Sequence, residues 1–247
     1  MNLTIAITTA PRKTQTLADS IRTLREAGYT LPIYIFAEPS LRDYYHILDR
    51  NVKFFQHRRK KGCFKNFDYV LQYMINYCRT KYFAIFQDDF IYKKTFLQTL
   101  ETFDYNNNSF GYLCTFTPNG MKHNLDGQQG WCRNKIGWHS WGANYIMNKD
   151  TATKLIKSPF YQQHKKYYVI NQQIDACCSE AFHRLNIPCY YHIPSISRHI
   201  GHHSTLKHNH DDPKFHAVEI DSSITDEIQQ SIKQELPLEK VVNTFKK

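Results

Sequence analysis

YFAIFQDD, Tyr82 to Asp89, sets an unbroken apolar run one residue, Gln87, ahead of two adjacent carboxylates. A short apolar run closed by polar residues reads as a buried strand, and the Asp88-Asp89 pair after it reads either as a turn or as a cation site. The same pattern recurs upstream. Leu3 to Ile7, LTIAI, is a β-branched run that ends in Thr8-Thr9-Ala10-Pro11-Arg12, again a strand followed by a polar loop. Thr14 can cap a helix whose face is marked by Leu17, Ile21 and Leu24 and which Gly28 stops. Pro32 then admits a second strand, IYIFA, ending at Glu38-Pro39. Asn51 to Gln56 is a third. From Asn66 the positions Phe67, Val70, Leu71, Met74 and Tyr77 recur at helical spacing, with an end near Thr80. Strand-helix alternation through the first ninety residues predicts an α/β fold with an open, mostly parallel sheet flanked by helices. Ligands of such sheets bind beyond the carboxyl ends of the strands, so Thr8 to Arg12, Glu38 and Asp88-Asp89 are expected on one edge.

Downstream the pattern loosens. Phe110 to Phe116 reads as a strand, whereas Pro118 to Trp141 is rich in Gly, Asn, Trp and Gln without period. A loop this long within a domain is usually functional or disordered, and Trp131, Trp138 and Trp141 favour a wall facing the substrate. Helices are expected over Asp150 to Lys157 and Asn171 to Leu185, with a last strand from Cys189 to Ile193. The expected division is one domain over 1–206 and a polar, helical or loose extension over 207–247.

The 247 residues suffice for one domain with a substantial core. Hydrophobic residues at 41% exclude a wholly disordered chain. Lys and Arg number 32 against 22 Asp and Glu, a formal +10 that attracts polyanions such as nucleotides, nucleic acid or acidic membranes. His57-Arg58-Arg59-Lys60-Lys61 concentrates this charge, flanked by Lys53 and Lys65. Seven cysteines without a repeating frame are no disulfide scaffold. No apolar run approaches the roughly 20 residues of a membrane span, and the N-terminus has no signal-peptide pattern. These features lead us to expect a reduced, soluble, cytoplasmic protein.

Two carboxylates at a strand end suit a hard cation such as Mg²⁺ or Mn²⁺, which takes oxygen ligands and shares them with a diphosphate. Adjacent side chains on an extended segment point opposite ways. One acid, Asp89, is therefore expected to bind metal directly, and Asp88 to act behind it or toward the sugar. Histidines 199, 202, 203, 208, 210 and 216 carry no HExxH or paired Cys/His frame, so a dedicated zinc site is not expected.

Taken together, AITTAPR, YIFAE, GCFKNFDYVL, FAIFQDD, GWHSWGANYIM and PSISRHIGHHS, in this order over roughly residues 3 to 205, resemble the family-2-like nucleotide-sugar glycosyltransferases of the GT-A fold. The resemblance implies a GT-A, Rossmann-like open mixed sheet, mostly parallel and flanked by helices. It implies that Thr8, Thr9 and Arg12 line a nucleotide pocket and that Glu38 holds the base or ribose. Lys65 and Asn66 would approach the nucleotide from a helix start, and Asp88 and Asp89 would serve the sugar and a Mn²⁺ or Mg²⁺ ion. His199 or His202 would complete the metal shell. The donor would be a nucleotide sugar, most simply a UDP-sugar. For an inverting transfer the base would be Asp175, with Glu180 and Asp126 as alternatives. The motif is Gln-Asp-Asp where the family has Asp-X-Asp, which leaves the ligand set open.

Two acceptors fit. One is a saccharide or protein hydroxyl. The other is a hydroxymethylated pyrimidine in duplex DNA, 5-hydroxymethylcytosine or 5-hydroxymethyluracil, as in sugar-decorated bacteriophage genomes, which would place the protein in the cytoplasm of a host bacterium. The +10 charge and the Arg58, Arg59, Lys60, Lys61 loop favour DNA. Trp131, Trp138 or Trp141 would then receive a base that has left the stack. A non-catalytic nucleic-acid binder on the same fold is a reading of a different class.

Overall fold

In the computed structural model the residues described are 2–12, 15–39, 50–105, 111–117, 129–134, 144–167 and 174–201. In chain order they form β1 (Leu3–Thr9), α1 (Leu17–Glu26), β2 (Ile33–Ala37), β3 (Val52–Gln56), α2 (Cys63–Tyr77), β4 (Tyr82–Gln87), β5 (Phe90–Tyr92) and α3 (Phe96–Glu101). The second half adds β6 (Tyr112–Cys114), β7 (Gly130–Arg133), β8 (Tyr145–Asn148), α4 (Lys149–Lys157), α5 (Pro159–Tyr167), α6 (Ile174–Arg184), β9 (Cys189–Ile193) and β10 (Ser197–His199).

Eight strands make one sheet in the order β3-β2-β1-β4-β8-β6-β9-β7. The first four run parallel, β8 is antiparallel to both β4 and β6, β9 is parallel to β6, and β7 is antiparallel to β9. Strand alternation splits the core into two layers. Ala6, Phe83 and Ile85 face a cluster with Phe67, Val70 and Met74 of α2, Leu155 of α4 and Phe182 of α6. Ile5, Ile7, Ala84 and Phe86 face Leu17, Ile21 and Leu24 of α1 and Phe96 of α3. Burial on both faces explains why β1 and β4 read as near-continuous apolar runs. This is the predicted α/β architecture, a mixed and mostly parallel sheet between helices.

Several expectations change. Helix α2 begins at Cys63, three residues before Asn66, behind Gly62 with φ 79°. Its last residue, Tyr77, is 69% exposed and does not belong to the core face. Inside the segment expected to be a structureless loop, β7 pairs with β9, a strand too short and too half-buried to carry a period. Helix α5 opens on Pro159, a first-turn signal, but its few buried positions leave no apolar face to read. A separate antiparallel pair, β5 with β10, sets His199 opposite Phe90.

Thr14, Asp126, Trp138, Trp141, His202 and the later histidines, and the expected 207–247 extension lie outside the described residues. All seven cysteines are free thiols, six of them buried. No helix among the described residues is long and apolar enough to cross a membrane.

Candidate active site at the carboxyl edge of the sheet

The parallel register brings the ends of three strands level, with Thr8 beside Gln87 and Thr9 beside Ala37. Backbone bonds carry the alignment one residue further. Asp88 N donates to Thr8 O at 3.1 Å and Glu38 N to Thr9 O at 3.0 Å. Thr9, Glu38 and Asp88 therefore stand in one row at the sheet's carboxyl edge.

Asp88 is fully buried and fully engaged. Thr9 Oγ1 donates to its Oδ2, while Arg12 places Nε at 3.0 Å and Nη2 at 2.7 Å on its Oδ1. From behind, Ser20 on α1 sets its hydroxyl 2.7 Å from the Asp88 carbonyl and 2.6 Å from that of Phe90, pinning the turn between β4 and β5. Burial pushes the Asp88 carboxyl up, the neighbouring Asp89 adds to the push, and Arg12 opposes it.

Asp89, the second residue of that turn, is reached by the same guanidinium. Its Oδ2 receives Arg12 Nη1 at 3.0 Å and lies 3.0 Å from His199 Nε2, and its carbonyl accepts from Ile200 N at 2.8 Å. Burial alone would raise this carboxyl, but His199 and Arg12 hold it well below the usual carboxylate range. Its other oxygen, Oδ1, is buried and accepts no hydrogen bond among the described residues. A Cβ on Gly201 would come within 2.8 Å of Asp89 Oδ2 and 3.1 Å of His199 Nε2, so only glycine closes this side of the pair.

Glu38 accepts from two backbone amides. It is buried, with Oε2 accepting Lys61 N and Oε1 accepting Gly62 N, both at 2.8 Å. Those amides are at the start of α2, where unpaired N–H groups and the helix dipole favour an anion. Asn66 is buried too, donating to Phe36 O at 3.1 Å and meeting His57 Nε2 at 2.8 Å. The basic segment is thus fixed at both ends while Arg58, Arg59, Lys60, Lys61 and, one turn on, Lys65 stay exposed. Thr8 turns its hydroxyl to Phe86 O at 3.2 Å, a strand-end bond to the backbone.

Asp175 is the second residue of α6 and half-buried. Cys63 is the first residue of α2. Burial pushes the Cys63 thiol up to about 12, with the charges of Asp175, Asp89 and Asp88 adding to the rise and Arg12 opposing it. Glu180 turns outward to Arg184 Nε at 2.6 Å. Trp131 lies on β7 and its indole N–H is used by α3, 3.2 Å from Thr99 O and 3.1 Å from Thr102 Oγ1. Its ring packs edge-on against Phe103 and His192.

Four site residues escaped the sequence reading. Ser20 is a polar residue amid the buried face of α1, a legible signal. Gly201 lies in the quoted HIGHHS run. Cys63 and Asn144, whose Oδ1 accepts Gln87 N at 2.9 Å, lie in the quoted GCFKNFDYVL and GWHSWGANYIM runs.

Asp89 and His199 fit a divalent cation: a buried anionic oxygen without a donor, an imidazole nitrogen beside its twin, and a glycine keeping the approach clear. Among the described residues no third His, Cys, Asp or Glu joins them. Mg²⁺ commonly takes one or two protein ligands and fills its shell from phosphate and water, so two are enough.

No protein-family model and no curated protein matches the chain. Among solved structures it is similar to S. aureus TarS, with a TM-score of 0.48 and 12% identity over 78% of this chain. The chain spans 36% of that protein.

Proposed function

We propose that this chain is a glycosyltransferase that moves a sugar from a nucleotide diphosphate to the hydroxymethyl group of a modified pyrimidine in DNA. The observation that carries the transferase reading is the Asp89 carboxylate: anionic, buried, with one oxygen left over, beside His199 at the carboxyl edge of parallel strands. Arg12 and His199 already meet its Oδ2, but Oδ1 remains an acceptor that a metal ion would fill, and the sequence motifs around it resemble those of nucleotide-sugar enzymes.

Asp89 and His199 would hold Mn²⁺ or Mg²⁺, which when bound supplies positive charge against the diphosphate leaving group. The chain's own residues do the rest. Arg12 and Thr9 fix Asp88, which orients the turn that carries Asp89. Lys65, exposed in the first turn of α2, offers charge to phosphate. Asp175 takes the proton of the acceptor hydroxyl as its oxygen bonds to the sugar carbon and the bond to diphosphate breaks, with inversion at that carbon.

DNA as acceptor is supported by the +10 charge and by the exposed Arg58 to Lys61 segment anchored through Glu38 at the same edge. The test is a panel of nucleotide sugars offered with hydroxymethylcytosine or hydroxymethyluracil duplex, digested to nucleosides for mass spectrometry. A hexose or pentose mass added to the modified base is expected, and its loss in Asp89→Ala. Donor consumed only when glycans or proteins are supplied would move the acceptor to a saccharide or protein hydroxyl. Salt-sensitive duplex binding with no donor turnover would leave a non-catalytic binder.

A further inference from the structure

The exposed side of α2 carries a second feature, away from the acid pair. Tyr69, Tyr73 and Tyr77 stand at i, i+4 and i+8, one above another along about 12 Å of helix. Tyr69 is 42% exposed and Tyr77 69%, two of the three exposed large apolar side chains among the described residues. They do not stand alone. Tyr73 lies 4.9 Å from Tyr77 and 5.4 Å from Phe55 of β3, and Phe55 stacks with Tyr34 of β2 at an interplanar angle of 6°. The result is a strip of rings across α2, β3 and β2, which Tyr69 joins through the buried Phe36.

Cations border the strip. Lys53 Nζ sits 5.3 Å over the Tyr34 ring and Lys61 Nζ 5.2 Å over Tyr69, and Arg58, Arg59, Lys60 and Lys65 are exposed at its upper end. Among the described residues the nearby acids are committed inward. Asp68, the one acid of α2, is buried against Lys165 at 2.8 Å and the Tyr161 hydroxyl at 3.2 Å. Glu38 is bound by the Lys61 and Gly62 amides. The strip is therefore apolar and aromatic in the middle, positive at the rim, and begins at the loop that borders the candidate active site.

We propose that this face binds an extended single strand of nucleic acid, bases stacked on Tyr69 and Tyr77 and phosphates along Lys53 and Lys61. Flat rings with separate cations serve a strand whose bases are unstacked, because each base presents a π-face and each linkage a charge. A duplex hides the faces, and an acidic protein surface has none to offer. The proposal deepens the DNA-acceptor reading and rests on it for the choice of ligand: the strip would hold the strand that flanks a nucleotide drawn into the site.

The test is equilibrium binding of the full chain to a dye-labelled oligothymidylate of about 15 nucleotides, without donor or cation, followed by anisotropy at about 50 and about 200 mM salt. The double variant Tyr69→Ala/Tyr77→Ala is expected to weaken binding about tenfold or more, with an unchanged salt dependence and an unchanged unfolding midpoint. Tyr69→Phe/Tyr77→Phe keeps the affinity, and Lys53→Ala/Lys61→Ala flattens the salt dependence. Undiminished binding in the Tyr→Ala pair overturns the proposal, as does heparin bound with the same tyrosine dependence. Tyrosine-dependent binding without sugar transfer to hydroxymethylated DNA supports the strip and fails the acceptor reading alone. Transfer with no oligothymidylate binding sinks the strip alone.

Discussion

Arg12 lays two guanidinium nitrogens on a single oxygen of Asp88, Nε at 3.0 Å and Nη2 at 2.7 Å, and turns its remaining nitrogen to Asp89. One cation thus compensates two buried acids. Removing one partner of a buried pair leaves the other charge stranded, which costs about 3–5 kcal/mol. Arg12→Met is expected to lose stability on this scale in urea unfolding. Arg12→Lys recovers only part of it, since an ammonium cannot span both carboxylates as the planar fork does.

Asp89→Asn keeps the shape of the side chain and removes the charge that a divalent ion would meet. Binding of Mn²⁺ in the presence of UDP, followed by calorimetry or by water proton relaxation, is expected to disappear in this variant. Chelation with EDTA is expected to stop donor turnover in the unaltered protein, and added Mn²⁺ to restore it.

Gly201→Ala probes the same place by volume alone. The new methyl would meet Asp89 Oδ2 at 2.8 Å and the His199 ring at 3.1 Å. The Asp89 carboxylate must shift and the imidazole must give by a few tenths of an ångström, and misplacement of groups at a reacting centre lowers the rate. A fall in kcat with an unchanged urea midpoint is expected.

Glu38→Ala takes the acceptor away from two backbone amides at the start of α2. Each such loss costs about 1–3 kcal/mol where the donors stay shielded from water. Hydrogen exchange at Lys61 and Gly62 is expected to speed up while the amides of β1 keep their protection.

Two histidines should make stability fall in mild acid. Burial lowers His164, which packs on Phe64, and burial with the charge of Lys93 lowers His192 against the opposing carbonyl of Pro194. Below the ordinary value of 6.5 the unfolded chain takes up protons before the fold does. Stability is therefore full above that pH and is lost as the pH falls through the lower folded-state values. Denaturation midpoints at pH 7.5 and pH 5.5, each read with and without His164→Gln/His192→Gln, are expected to converge in the double variant (pH values about as given).

The parallel half of the sheet was legible because its strands are buried on both faces, so LTIAI, IYIFA and YFAIF stand out as apolar runs. The antiparallel half was less so. Strands such as β7 and β8 are four residues long, and their pairing partners lie far along the chain. The row Thr9, Glu38, Asp88 followed from strand ends alone. The partners within it did not: a sequence cannot say that Glu38 spends its carboxylate on Lys61 and Gly62 amides, or that Arg12 spans both acids. His199 reached Asp89 only through the β5–β10 pair, a three-residue register that no periodicity announces.

Strand β8 lies between β4 and β6, although it follows both in the chain. During synthesis Tyr82–Gln87 emerges long before Tyr145–Asn148, and until then one side of a strand apolar in all but its last residue offers its N–H and C=O groups to any passing chain. A polypeptide truncated after α3 would keep that open side for good. It would be a seed for aggregation rather than a miniature donor-binding unit, and the nascent protein has most need of a chaperone over that same interval.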